Sequence, residues 1–329
     1  MSWGDTVGIA GAGPFGTALA NLLATRGRSV WLWSQSAEVV REISEQRSNE
    51  ARLPGTRLSP MLHATADPEE LCARARFLVL AVASTQVRER ARELGGLTDG
   101  SYLAVHAIGA LATPGDVRIT DVMREEMPVK RIGTLVGPAL SRDLAGGAYA
   151  SMVCASAYEE VSSEARRLLG APPALRLYQG FDVVGAELAS ALAGAYTCAL
   201  GLADAMNVGP GPRAVLVTRA VAEASRLGEA VGADPRTFSG LAGLGNLLVR
   251  SAGSAGARSE DYRYGEALAT GAGGPELTEG ARAALAGARL AERRGVHAPV
   301  VRALAAVLLG KLSPARAAAA AGGSVALEE

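Results

Sequence analysis

"TVGIAGAGPFGTALANLLATRGRSVWLWSQS", residues 6–36, is the stretch on which the fold turns. A short apolar run, Val7–Ala10, meets Gly11, Gly13 and Gly16 in G-x-G-x-x-G spacing. An apolar-rich segment from Thr17 to Thr25 follows, is ended by Gly27, and gives way to a second apolar run, Ser29–Trp33. The order predicts strand, tight turn, helix, strand. Each glycine then has its own reason: Gly11 permits the turn, Gly13 lets the backbone approach a pyrophosphate, and Gly16 lets helix and strand pack closely. A dinucleotide's phosphates belong at the helix start, around Pro14 and Phe15, where unpaired N–H groups and the dipole favour an anion. The glycine triplet alone is weak; strand before and helix and strand after make it specific. A glycine turn that holds no ligand is the competing reading.

An NAD-preferring site ends its second strand in an acid that accepts from the ribose 2′-hydroxyl. Here the chain reads Ser34, Gln35, Ser36, with the first acid at Glu38. No carboxylate repels a 2′-phosphate and two hydroxyls are available to it, which tilts the expectation from NAD toward NADP. No arginine stands at the usual clamping place, although Arg26 and Arg28 precede the strand. Ala83 and Ser84, at the end of the run 75–84, complete the cofactor contacts expected in this half.

Further apolar runs at 75–84, 101–108, 131–139, 149–156 and 174–179 fit central strands covered on both faces. From Val183 onward the pattern is helical, with Gly-rich breaks at 208–212, 239–245, 251–256 and 271–274 and an Ala-rich helix and tail after Pro314. The expected fold class is α/β: a Rossmann dinucleotide-binding domain at 1–181 followed by an all-α domain at 182–329.

A chain of 329 residues suggests two domains. Its 33 basic and 33 acidic residues balance, which argues against nucleic acid or an anionic membrane surface as the main partner. No apolar run reaches the ~20 residues of a membrane span, and no basic-then-apolar leader opens the chain. Cys72, Cys154 and Cys198 show no CxxC spacing, pointing to a reducing, cytoplasmic setting without a disulfide framework or metal site. Only Lys130 and Lys311 are lysines, so chemistry that needs an ammonium has two places to find it.

"GAGPFGTALA" (11–20), "NEARLPG" (49–55), "GPALSRDLAGG" (137–147), "DVVGAELASAL" (182–192), "LVTRAVAEASRLGEAVGADPRTFSGLAGLGNL" (216–247) and "TEG" (278–280) together carry a resemblance. Over nearly its whole length the chain resembles the bacterial NAD(P)-dependent glycerol-3-phosphate dehydrogenases, which reduce dihydroxyacetone phosphate with a hydride from NAD(P)H. The resemblance implies a Rossmann domain, a helical substrate domain, a homodimer and a site in the cleft between domains. It also implies a lysine where this chain has Ile108, a Lys-Asn pair where it has Ala193 and Gly194, and an aspartate where it has Asn246. The threonine position is Arg250. The phosphate-gripping Ser-Arg-Asn falls on Ser259, Glu260 and Asp261, or on Arg258 and Ser259 if two residues are inserted; Arg250 and Arg258 are thus the expected substrate groups. Asp182, Glu187, Arg219, Glu223 and Glu279 persist, with Asp143 for the usual glutamate, and Glu279 is expected beside the cofactor. For Asp182 and Glu187, a helix cap and a first-turn acid are the plain alternative.

His106 is the candidate to replace a missing acid, because strand alternation puts it on the same face as Ile108 near a strand's carboxyl end. A buried, hydrogen-bonded structural histidine is the competing reading. Tyr196, one turn beyond Ala193, is a weaker candidate. Lys130 precedes its strand and so lies at the wrong end of the sheet, Lys311 reads as solvated, and His63 and His297 read as loop residues. Losing a general acid costs about 10²–10⁴ in rate, and losing a donor to the developing oxyanion about 10²–10³. Three functions follow as expectations: a dinucleotide-binding pseudoenzyme that reports cofactor state to a protein partner, an oxidoreductase acting on a different carbonyl or imine, or a scaffold that binds no nucleotide.

Overall fold

The computed structural model describes residues 4–252, 258–271 and 276–323. Most of the Gly-rich breaks read at 251–256 and 271–274, and the tail beyond 323, lie outside the described residues. The chain divides into two units. One runs to Ile108 and from Ala112 to Val183; the other takes Gly109–Leu111 and everything from Val184.

The first unit alternates strands and helices: β1 (Thr6–Ala10), α1 (Pro14–Thr25), β2 (Ser29–Trp33), α2 (Ala37–Arg41) continued by a π-helical turn at Glu42–Gln46, β3 (Leu62–Thr65), α3 (Pro68–Arg74), β4 (Phe77–Leu80) and α4 (Val87–Gly95). It continues with β5 (Leu103–His106), α5 (Ile119–Glu126), β6 (Arg131–Val136), α6 (Ser141–Ala145), β7 (Ala150–Ser156), α7 (Glu159–Leu169) and β8 (Leu175–Gly180). The eight strands lie in the order β3-β2-β1-β4-β5-β6-β7-β8. Neighbours run parallel except for β6 and β7. All four residues of β4 and of β5 are buried, as helices on both faces demand. The chain winds outward from β1 to β3 and then returns to β4, so the strand order reverses between β1 and β4. In open α/β sheets ligands bind outside the carboxyl ends at that reversal. One expectation is corrected here: His63 is a strand residue, on edge strand β3, stacked on Trp31 at 5.0 Å.

The second unit is helical: α8 (Val183–Ala205), α9 (Pro210–Glu229), α10 (Arg236–Ser239), a π-helical turn at Leu241–Gly245, α11 (Asn246–Arg250), α12 (Glu260–Ala269), α13 (Glu279–Arg294), α14 (Pro299–Leu308) and α15 (Pro314–Gly323). Contrary to the sequence expectation, α8 is by length and composition apolar enough to cross a membrane, with a mean hydropathy of 1.4. Yet 94% of that window is buried inside the protein, the behaviour of a helix that is apolar all round. Small residues let its neighbours come close. A Cβ on Gly201 would stand 2.1 Å from the Tyr262 carbonyl, and one on Gly265 2.0 Å from the Cys198 carbonyl, so α8 and α12 touch backbone to backbone. At Gly280 a Cβ would stand 2.4 Å from the Gly194 carbonyl, which brings α13 equally near.

Glu223 of α9 ties this unit together. Its carboxylate accepts from the Val300 and Val301 N–H groups, both at 2.8 Å, and so caps α14, whose own N-cap residue supplies no side chain. Tyr196 donates to the same carboxylate at 2.9 Å. Burial pushes the Glu223 carboxyl up from its ordinary value despite these three bonds.

Candidate functional site

The glycine loop occupies the β1 end of the reversal. Gly11 has φ +118°, and a Cβ there would lie 2.4 Å from the Ala81 carbonyl. A Cβ on Gly16 would lie 2.0 Å from the Gly11 carbonyl, so α1 packs directly on the turn. Gly13 is different. Its φ is an ordinary −71°, and the nearest atom to a Cβ there is the Ala81 carbonyl oxygen at 3.9 Å. Among the described residues nothing requires a glycine at 13, whereas a ligand surface approaching the backbone would. Gly13 also begins α1 without a side-chain cap, Pro14 follows, and the first turn carries no acid, which leaves the helix end suited to a pyrophosphate. Phe15 is half-buried beside it. Asn49, which the sequence reading did not single out, fixes this loop: its fully buried amide donates to the Ala12 carbonyl at 3.0 Å and to Thr17 Oγ1 at 2.9 Å. Its signal was its place at the head of "NEARLPG".

At the β2 end, Ser34 Oγ accepts from the Ser36 N–H at 3.3 Å, and Ser36 Oγ caps α2 by accepting from Val39 at 3.2 Å. Gln35 is exposed, and with its amide turned so that the oxygen faces Arg90 it accepts from Nη1 and, at 2.9 Å, Nη2. Sequence reasoning found no arginine for this place; the fold supplies one from α4. The Arg90 side chain is 6% exposed, lies over the Trp33 ring at 5.9 Å, and pairs with Glu89 and Glu93. Its signal was positional: Val87, Arg90, Ala91 and Leu94 form the buried stripe of α4, and an arginine in such a stripe has a fixed partner. Of the other predicted contacts in this unit, Ala83 is exposed and Ser84 is buried, its carbonyl accepting from Thr113 at 3.3 Å.

His106 sits opposite Leu80 and Thr134 in the sheet with no exposed surface. Its Nδ1 accepts from the Ile108 N–H at 3.3 Å, which braces the turn leaving β5. Ile108 itself is 5% exposed.

The helical unit holds a second polar cluster. Asp261 of α12 accepts from Arg250 Nη2 at 2.5 Å through one oxygen and from the Gly280 N–H at 2.8 Å through the other. The Asp261 side chain is 4% exposed and that of Arg250 19%. A Cβ on Gly109 would lie 3.5 Å from Arg250 Nη1, and one on Gly194 would lie 3.5 Å from Nη2 and 3.2 Å from Asp261 Oδ2. The guanidinium therefore reaches between the 109–111 segment and α8, filling the room a side chain at 194 would take. Nearby, Asn246 donates to Ser190 Oγ at 3.1 Å, and Ala193 is buried. Of the two carboxylates at 260 and 261, Asp261 is paired with Arg250, and Glu260 is exposed in the first turn of α12.

Arg258 is not part of this cluster. It pairs with Glu266 and lies 4.8 Å over the Tyr262 ring. Glu279 begins α13 and pairs with Arg282 at 3.2 Å. Burial drives the Tyr196 phenol well above its ordinary pKa, and its proton is committed to Glu223. Burial likewise raises Cys72 to about 11 and Cys154 to about 12, so neither thiol is a nucleophile near neutrality.

Residues 6–162 match the family described as NAD-dependent glycerol-3-phosphate dehydrogenase N-terminus, and residues 182–319 match the corresponding C-terminus. The chain belongs to the NAD-dependent glycerol-3-phosphate dehydrogenase family. It is 37% identical over 318 residues to a glycerol-3-phosphate dehydrogenase [NAD(P)+] of Novosphingobium aromaticivorans, covering 94% of this chain and 93% of that one. The enzyme of the same name from Geobacter metallireducens is 35% identical, with 93% of each chain covered. The crystal structure of glycerol-3-phosphate dehydrogenase from Coxiella burnetii superposes with a TM-score of 0.87 at 26% identity, covering 96% of this chain and 98% of that one. Family membership implies a nicotinamide dinucleotide as cofactor, and the open face of Gly13 at an uncapped helix end fits its pyrophosphate.

Proposed function

We propose that this glycerol-3-phosphate dehydrogenase-like protein binds NAD(P)(H), with NADP(H) preferred, and has given up reduction of dihydroxyacetone phosphate to report cofactor state. The observation that carries this reading is the identity of the cation in the helical cluster: Arg250, locked to Asp261. A guanidinium stays protonated through the physiological range, so it holds an anion but gives up no proton to an alkoxide. Ile108 and Ala193, where the family resemblance expects lysines, are buried and apolar. Lys130 is exposed just before β6, and Lys311 is exposed beyond α14. His106 and Tyr196 are enclosed and hydrogen-bonded, which supports structural roles for both.

When bound, the dinucleotide supplies a hydride. Gly13 and the start of α1 would hold its pyrophosphate, and Gln35 and Arg90 would face the 2′ side of the adenosine ribose. Arg90 supports the NADP(H) preference, because a guanidinium fork matches a phosphate. Of its two carboxylate partners Glu89 is 71% exposed, so its side chain can swing into solvent when a 2′-phosphate takes its place. A homodimer, a cytoplasmic location and a protein partner that senses the bound cofactor belong to the same proposal.

The test is a pair of measurements. Titration with NADH and NADPH, followed by energy transfer from Trp31 and Trp33, is expected to show saturable binding with NADPH the tighter ligand. Turnover of dihydroxyacetone phosphate is expected below about 0.01 s⁻¹, against an ordinary enzyme value of about 10 s⁻¹. Turnover in the ordinary range, as the relatives' names would have it, overturns the loss of activity; no binding at millimolar cofactor leaves a scaffold. A second reading, an oxidoreductase for another carbonyl or imine, is favoured by the fixed Arg250 donors between Gly109 and Gly194, which suit a developing oxyanion. It predicts NADPH oxidation by 2-oxo acids that Arg250→Met abolishes.

A further inference from the structure

The helical unit contains a hollow of about 560 Å³ walled by α8, α9, α14 and α15. It is separate from the Arg250 cluster, and the proposed function makes no use of it. Leu202, Met206, Val215, Leu216 and Leu304 furnish much of its surface, and Arg219 is the charged side chain among its described lining residues. The space exists because positions on three of the helices facing it (199, 203, 303, 317 and 318) are alanine, where larger side chains would close the gap. Interiors are otherwise packed to crystal density, so an apolar hollow of this size leaves part of its lining without the contacts that a bound chain would supply. It is also within the 300–1,000 Å³ typical of small-molecule pockets. Val215 is 50% exposed, so the hollow is reachable from solvent.

We infer that this hollow is a binding site for a single-chain anionic amphiphile, a medium-chain carboxylate, with the alkyl chain along the apolar walls and the carboxylate at Arg219. Charge and shape select that class. One cation in an apolar enclosure matches one anionic head, whereas a nucleotide or sugar would leave most of its polar groups without partners. Arg219 also interacts within the protein, but a guanidinium carries five N–H donors and can serve a carboxylate as well. Met206 gives the wall an adaptable side chain suited to a flexible chain.

The experiment is calorimetric titration of the full-length protein with octanoate, decanoate and dodecanoate, and with dodecanol. Each added methylene should tighten binding about four-fold until the hollow is full. Arg219→Gln should weaken dodecanoate at least ten-fold while leaving dodecanol within two-fold, and the dodecanol result shows that the variant still folds. Ala303→Phe, which fills the hollow, should abolish binding of both without lowering the melting temperature. Absence of heat at millimolar dodecanoate overturns the inference, as does affinity indifferent to chain length or to Arg219. Conversion of a dimer to a monomer by Ala303→Phe, with dodecanoate binding unchanged, assigns the hollow to a second copy of the chain and overturns it too.

Discussion

Replacing Asp261 by asparagine tests whether the Arg250–Asp261 pair is the fixed element of the helical cluster. The substitution keeps an acceptor for the Gly280 N–H and nearly the same volume, so what it removes is charge. Breaking a buried ion pair by deleting one partner costs about 3–5 kcal/mol, because the remaining charge is stranded. Arg250 keeps 19% of its side chain exposed, so water reaches it in part and the lower end, about 3 kcal/mol, is expected. At roughly 2–4 °C per kcal/mol for a folded unit of this size, melting falls by about 6–12 °C. Urea unfolding at constant m gives the same loss as a shift in midpoint. The double substitution Arg250→Met with Asp261→Leu removes both charges and should recover most of the loss. What it leaves is the orphaned Gly280 N–H, worth about 1–3 kcal/mol. A cost below about 1 kcal/mol for Asp261→Asn, or a double variant as unstable as the sum of its singles, would refute an enclosed, coupled pair.

Other outcomes follow from the same geometry. Gly13→Ala should abolish NADPH binding with almost no change in melting temperature, since its Cβ meets nothing nearer than 3.9 Å; Gly16→Ala, with a Cβ 2.0 Å from the Gly11 carbonyl, should destabilise by about 1–3 kcal/mol. Thermal melts beside cofactor titrations separate the two, and equal stability loss would dismiss the cradle argument. Arg90→Ala should weaken NADPH at least ten-fold and NADH less than three-fold in the same energy-transfer titration; equal effects would make Arg90 a packing residue only. Because burial raises the Glu223 carboxyl above its usual 4.5, the folded state binds that proton more tightly than the unfolded chain does. The associated stability is full below 4.5 and is lost as pH rises through the raised value. Urea unfolding should therefore show the wild type's advantage over Glu223→Gln shrinking as pH rises above 4.5, and an advantage that grows with pH would reverse the assignment.

Local sequence determined the backbone plan. The 6–36 stretch specified strand, turn and helix, because a glycine spacing and a change of apolar period act on neighbouring residues. Runs such as Phe77–Leu80 announced central strands, and the loss of that pattern after Val183 announced the helical half. β3 escaped notice because four residues, "LHAT", with an exposed histidine among them, carry no run and no clear alternation. The polar contacts were decided by tertiary structure. Asn49 reaches the glycine loop across 37 positions, Arg90 arrives at the end of β2 from the flank of another helix, and Arg250 meets Asp261 across an intervening segment. The resemblance implied lysines or an aspartate where the chain has Ile108, Ala193 and Asn246; it gave no hint that the Arg250 guanidinium lies beside Gly194. Spacing along a chain fixes which face a side chain lies on, but a charge finds its partner only where helices approach. Here that approach depends on Gly194 and Gly280 being small enough for two backbones to touch.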